Sequence, residues 1–126
     1  MAIVFDTYAW IEYFNATKKG IVVKSYLEGK DVITPAIVLL ELSYRADQEG
    51  WDFSKYLSFI KTNSKITGFN EKFAVSFGKL YNESKKKIKD ISMADIIILN
   101  TAILNDSMVL TGDKHFEKTG RAIILE

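Results

Sequence analysis

Ile91-Ser-Met-Ala-Asp95-Ile-Ile-Ile-Leu-Asn100-Thr-Ala-Ile-Leu-Asn105-Asp-Ser-Met-Val-Leu110-Thr-Gly-Asp113-Lys-His-Phe116 is the stretch whose reading decides the fold. It reads as a buried helix with Asp95 in its first turn, followed by a short apolar strand from Met108 to Leu110 that delivers Asp113 through Thr111 and Gly112. A helix that feeds a strand in this way belongs to an α/β sheet. Such sheets gather ligands beyond the carboxyl ends of their strands, beside helix N-termini. Two carboxylates are thus expected at a functional edge.

Working outward, Ala2 to Phe5 is a short apolar strand ending at Asp6, and Thr7 to Phe14 follows as a helix with an aromatic face. Asn15 to Gly20 reads as a polar turn, Ile21 to Leu27 as a helix stopped by Gly29, and Asp31 to Thr34 as a second strand. Thr34-Pro35 is a helix start with the threonine at the cap. The helix it opens is apolar except at Glu41, and Gly50 ends it. Phe53, Tyr56, Leu57 and Ile60 have helical spacing, which predicts a helical hairpin. Lys65 to Phe69 is a third strand, and Asn70 caps a helix striped by Phe73, Phe77, Leu80 and Tyr81. Ala122 to Leu125 is a fifth strand. The alternation predicts one α/β domain spanning residues 1–126, a three-layer α/β/α sandwich around a mostly parallel sheet of about five strands.

Composition narrows the chemistry. The 126 residues, 48% hydrophobic and 13% aromatic, fill one core without crosslinks. With 17 Lys and Arg against 16 Asp and Glu, the net charge of +1 gives no global pull toward nucleic acid or membrane. There is no cysteine and a single histidine, His115, so thiolate and multi-histidine zinc sites are excluded and any metal would be oxygen-bound. No apolar run approaches the ~20 residues of a membrane span, and no basic segment precedes an apolar leader core, so the expectation is a cytoplasmic protein.

Each acid has an ordinary explanation. Asp6 and Asp113 precede helical segments and can be caps, and Ser92-x-x-Asp95 has capping-box spacing. Glu41 can pair with Arg45 one turn on. The lysines at 85, 86, 87 and 89 suit a helix C-terminus. The combination says more. Two acids follow strands, one opens a buried helix and one interrupts an apolar helix, so all four can converge at one end of the sheet. Converging, desolvated anions repel and raise one another's pKa unless a hard divalent cation neutralises them. That favours a metal site over scattered caps.

Phe5-Asp6-Thr7, Leu40-Glu41-Leu42, Ser92-Met-Ala-Asp95 with Ala102, and Leu110-Thr-Gly-Asp113-Lys-His-Phe116 resemble, in order and over essentially the whole chain, the PIN-domain family, and within it the VapC-type toxins of toxin–antitoxin pairs. The resemblance implies a PIN fold and Mg²⁺- or Mn²⁺-dependent endoribonuclease activity. It implies that Asp6, Glu41, Asp95 and Asp113 form the metal and catalytic site, with Thr7 and Thr111 beside it. Oxygen ligands suit such cations, which activate water and neutralise charge on a phosphate. His115 lies beyond Asp113 and is a weaker candidate base. Lys85 to Lys89, Lys114 and Arg45 are candidates to hold RNA phosphates. The implied partners are RNA, a cognate antitoxin and a second copy of the chain. Trp51, Phe53, Tyr56 and Tyr13 are expected to offer the antitoxin an apolar groove. Two rivals stand beside this. One is a PIN-like module that binds RNA or protein without catalysis. The other is a phosphoacceptor receiver domain, which needs an acidic pair where Asp6 stands alone.

Overall fold

The computed structural model describes residues 2–126. Five strands, β1 (Ala2–Phe5), β2 (Asp31–Pro35), β3 (Lys65–Thr67), β4 (Met108–Thr111) and β5 (Ala122–Ile124), form one sheet in the order β3-β2-β1-β4-β5. Every pairing is parallel, so the expected mostly parallel sheet is wholly so. Parallel neighbours need crossovers, and the long ones here are helical. Helices α1 (Thr7–Phe14) and α2 (Lys18–Gly29) join β1 to β2, and α3 (Ala36–Glu49) and α4 (Phe53–Asn63) join β2 to β3. Helices α5 (Glu71–Lys87) and α6 (Met93–Leu104) join β3 to β4, and a 3-10 helix over Lys114–Thr119 precedes β5. The helices flank the sheet, giving the α/β/α layering.

The strand order makes β1 the switch point. The chain builds outward through β2 and β3, then returns to place β4 on the other side of β1. Crevices at such points open beyond the strand carboxyl ends. Here Phe5 pairs with Leu110, and the Asp6 amide donates to the Leu110 carbonyl at 3.3 Å, so the residues after β1 and β4 leave the sheet side by side. Val4, Phe5, Val109 and Leu110 are fully buried, as central parallel strands covered on both faces require. Trp10 on α1 is also fully buried, its ring edge-on to Phe5 at 5.0 Å and stacked on Phe14 at 5.6 Å.

Three local expectations are corrected. Helix α2 starts at Lys18, inside the segment expected to be a turn. Thr17 caps it, accepting from the Gly20 amide at 3.0 Å. Gly20 is a packing residue: a Cβ there would strike the Glu12 backbone carbonyl of α1. Thr34 does not cap α3. Pro35 occupies the cap position without a side-chain bond, and the Thr34 hydroxyl faces the core, accepting from the Trp10 indole at 3.1 Å and sharing a 2.8 Å bond with Ser64. Strand β3 stops at Thr67, the last residue paired with β2, instead of running to Phe69. Gly50 ends α3 in the left-handed conformation, φ 76°, that glycine adopts without strain.

Candidate active site

Asp6 leaves the end of β1 directly into α1. Its Oδ1 accepts from the Ala9 amide at 2.8 Å, which is the N-cap bond expected of this position. The price of that location is burial: Asp6 is only 7% exposed, at the mouth of the core. Burial pushes its carboxyl up from the ordinary value of 3.8 to about 7. The Thr111 hydroxyl and the Ala9 amide draw it partly back, while the charges of Asp95 and Glu41 raise it further. Asp6 therefore feels two of the other three acids.

Those acids arrive from separate elements. Glu41 comes from α3, and its Oε1 accepts from the Thr7 hydroxyl at 2.7 Å. The pairing with Arg45 that would be the ordinary explanation of Glu41 is absent among the described ion pairs; Arg45 turns to Glu49 at 3.6 Å and lies 6.0 Å from the Trp51 ring. Asp95 sits in the first turn of α6 within a full capping box. Its amide donates to Ser92 Oγ at 3.1 Å, and its Oδ2 accepts from the Ser92 amide at 3.3 Å. Asp113 follows β4, and its Oδ1 accepts from the His115 amide at 2.9 Å. Thr111, fully buried, accepts from the Asp113 amide at 3.0 Å and so ties this turn to the site.

Asp6, Thr7, Tyr8, Glu41, Tyr44, Arg45, Asp95, Ile98 and Asp113 line one open cleft of about 220 Å³. All four acids read from the sequence are there, with Thr7 and Arg45. His115 and Lys114 are outside this lining, although His115 Nδ1 reaches within 3.4 Å of Asp113 Oδ1. Of the lysine run, Lys85 is committed to the Ile91 carbonyl at 2.7 Å, while Lys86, Lys87 and Lys89 are exposed. Tyr8 and Tyr44 were missed. The signal for both was adjacency: Tyr8 follows Asp6-Thr7 directly, and Tyr44 lies three residues beyond Glu41.

The capping and cleft roles of the acids coincide. In Glu41, Asp95 and Asp113 the described bonds to amides or hydroxyls engage one oxygen, and Asp6 is held by the Ala9 amide and the Thr111 hydroxyl, which fixes each group's direction. Among the described residues no three acidic side chains stand close enough together to enclose an ion as they are. What fits a hard divalent cation is the chemistry. The candidate donors are oxygens alone, and Asp6 carries a burial and repulsion penalty that a cation would relieve.

An acid-lined cleft at the switch point of a parallel sheet defines a class of α/β proteins with a polar site at the strand ends. The PIN domain family model matches residues 3–122, and the chain belongs to that family. In structural comparison the chain is similar to VapBC2 from Rickettsia felis bound to a DNA fragment from their promoter, with a TM-score of 0.79, 19% identity, and 98% of this chain and 97% of that one covered. It is similar to a toxin–antitoxin complex from Klebsiella pneumoniae, with a TM-score of 0.75, 19% identity and 98% of each chain covered. It is also similar to VapBC-1 from nontypeable Haemophilus influenzae, with a TM-score of 0.74, 20% identity, and 99% and 98% covered. Comparison with curated protein sequences gave no match. No helix among the described residues is long and apolar enough to cross a membrane.

Proposed function

We propose that the chain is a Mg²⁺- or Mn²⁺-dependent endoribonuclease and the toxin of a toxin–antitoxin pair. The observation that carries this is Asp6: a buried carboxylate at the end of β1, its pKa lifted to about 7, in one cleft with Glu41, Asp95 and Asp113. Family membership and the likeness to a toxin–antitoxin complex support the same reading. The neighbours are assemblies by their descriptions, and an antitoxin and a second copy of this chain are the partners we assign to it.

In this reading Asp6, Asp95, Asp113 and Glu41 are the residues that would hold the cation. When bound, the cation supplies a more acidic water and neutralises charge on the phosphate. The chain's residues do the rest. Thr7 fixes the direction of Glu41, which orients the attacking water or takes its proton. Thr111 positions Asp113 and shares its hydroxyl with Asp6. Asp6, its carboxyl raised to about 7 by burial, would have to be deprotonated to serve as a ligand.

A reading without catalysis, as a PIN-like binding module, is favoured by one observation: Asp6, Asp95 and Asp113 each make a local bond of the kind a purely structural role requires, and Glu41 ties α3 to α1 through Thr7. Asp95→Asn separates the two. Asparagine keeps the shape and an amide-accepting oxygen at the helix start and removes one charge. With single-stranded RNA and Mn²⁺, the unaltered chain should cut and EDTA should stop it. The variant should lose at least a hundred-fold in rate, and Mn²⁺ should raise its melting temperature far less than that of the unaltered chain. A variant that binds Mn²⁺ normally and still cuts would refute the site.

A further inference from the structure

The cleft assigned to the scissile phosphate is lined by four carboxylates and one guanidinium, so its own charge disfavours a polyanion. Even with a cation bound, the cleft's own lining has to hold the strand by something besides charge. The remaining lining is Thr7, Ile98 and two tyrosines, and the tyrosines differ in their commitments.

Tyr8 is half-buried. Its ring lies against Gly112, where any Cβ would collide with it, and its hydroxyl accepts from Lys19 Nζ at 3.0 Å. It is a fixed wall. Tyr44 stands on α3, one turn beyond Glu41, and is 53% exposed. Most of the chain's aromatic rings are paired with others, from the Trp10–Phe14–Phe59 group to the Phe69–Phe73–Phe77 row. Among the described contacts Tyr44 has neither a ring partner nor a hydrogen bond through its hydroxyl. An amphipathic ring is left open at the mouth of an anionic cleft.

Two occupants suit such a ring: a nucleobase, or the apolar face of another protein chain. The second would have to cover the cleft as well, because Tyr44 shares its lining with the acids. Such a chain has to bring counter-charge for those carboxylates, and while it sits there the cleft takes no substrate, so in the active protein the ring is left to the strand being cut. A nucleobase brings a neutral π-face to the ring while its phosphate stays at the acids and their cation, and base–aromatic stacking contributes substantially per base. We propose that Tyr44 is the base-stacking platform of this cleft, holding an unpaired nucleobase beside the scissile phosphate. The proposal rests on the nuclease reading and gives a physical reason for a single-stranded substrate there, since a paired and stacked base cannot lie on a side chain.

The test reads binding apart from cutting. With the four acids unaltered and Ca²⁺ in place of Mn²⁺, fluorescence anisotropy read before cleavage sets in compares a labelled single-stranded oligoadenylate with an abasic ribose-phosphate oligomer of equal length and charge. Tyr44→Ala should weaken oligoadenylate binding by roughly ten-fold or more, whereas Tyr44→Phe, which keeps the ring, should leave it within about two-fold. The abasic oligomer should bind as weakly before Tyr44→Ala as after it. Equal binding of the two oligomers by the Tyr44 protein overturns the platform while leaving the nuclease reading intact. So does a Tyr44→Ala loss accompanied by a change of oligomeric state in sedimentation, which would place a second copy over the ring. If the Tyr44 protein binds neither oligomer and the unaltered chain cuts no RNA, both readings fall.

Discussion

Asp6 carries two roles whose demands conflict. As an N-cap it needs only an oxygen toward Ala9; as part of an acid cleft it has to be a buried anion among anions. Its raised pKa makes that conflict measurable. Without metal the native state keeps a proton that the unfolded chain releases near pH 4. The native state thus binds more protons between about pH 4 and pH 7, and stability must fall as pH rises through that window. The loss attributable to Asp6 is at most on the order of 4 kcal/mol, complete above the folded pKa. Thermal melts of the metal-free chain should show this decline, and Asp6→Asn should flatten it, because asparagine caps as well and carries no proton to lose. Mn²⁺ should restore stability at pH 8 more than at pH 5, since it competes with that proton. A melting temperature flat from pH 5 to 8 in the unaltered chain would mean that Asp6 is not buried as an acid.

At the scale of elements, Thr34 shows how a sound local rule loses to packing. A threonine before proline looks like a cap, yet the last turn of β2 lies under α1, and the buried Trp10 indole needs an acceptor more than α3 needs a cap. Thr34→Val keeps the β-branched shape and orphans the indole N–H, a loss of about 1–3 kcal/mol and several degrees of melting temperature. In a Trp10→Phe background the same change should cost less, since only the Ser64 bond is then lost, a coupling that a cap could not produce. Gly20 and Thr17 make the same point. Glycine in a polar segment reads as a turn, and nothing along the chain reveals that α1 packs its backbone against it. By contrast β1, α1, α5 with its Asn70 cap, the Ser92 capping box and the capping acids Asp6, Asp95 and Asp113 were legible, because periodicity and short-range hydrogen bonding determine them, and Glu41 stood out as a charge within an apolar helix. Tyr8 and Tyr44 were hidden because an aromatic on a helix has the same signature whether it faces core or cleft.

For the whole molecule, charge is balanced in sum and uneven in place. The acids gather at the strand ends, while Lys86, Lys87 and Lys89 are exposed where α5 ends, a short linker before the α6 turn that carries Asp95. A helix C-terminus favours cations on its own account, and Lys85 serves that end directly through the Ile91 carbonyl. The other three have no such bond among those described. If they hold RNA phosphates around the repulsive cleft, each contact adds about 0.7 to the slope of log affinity against log salt for a single strand. Replacing all three by alanine should lower that slope by about 2 and weaken binding at low salt, with little change in the melting temperature, since exposed lysines contribute little to stability. The cleavage rate at saturating RNA should stay the same, because none of them lines the cleft. An unchanged salt slope would return the three lysines to the helix end and leave the strand to be held by the cation, Arg45 and the tyrosine ring alone.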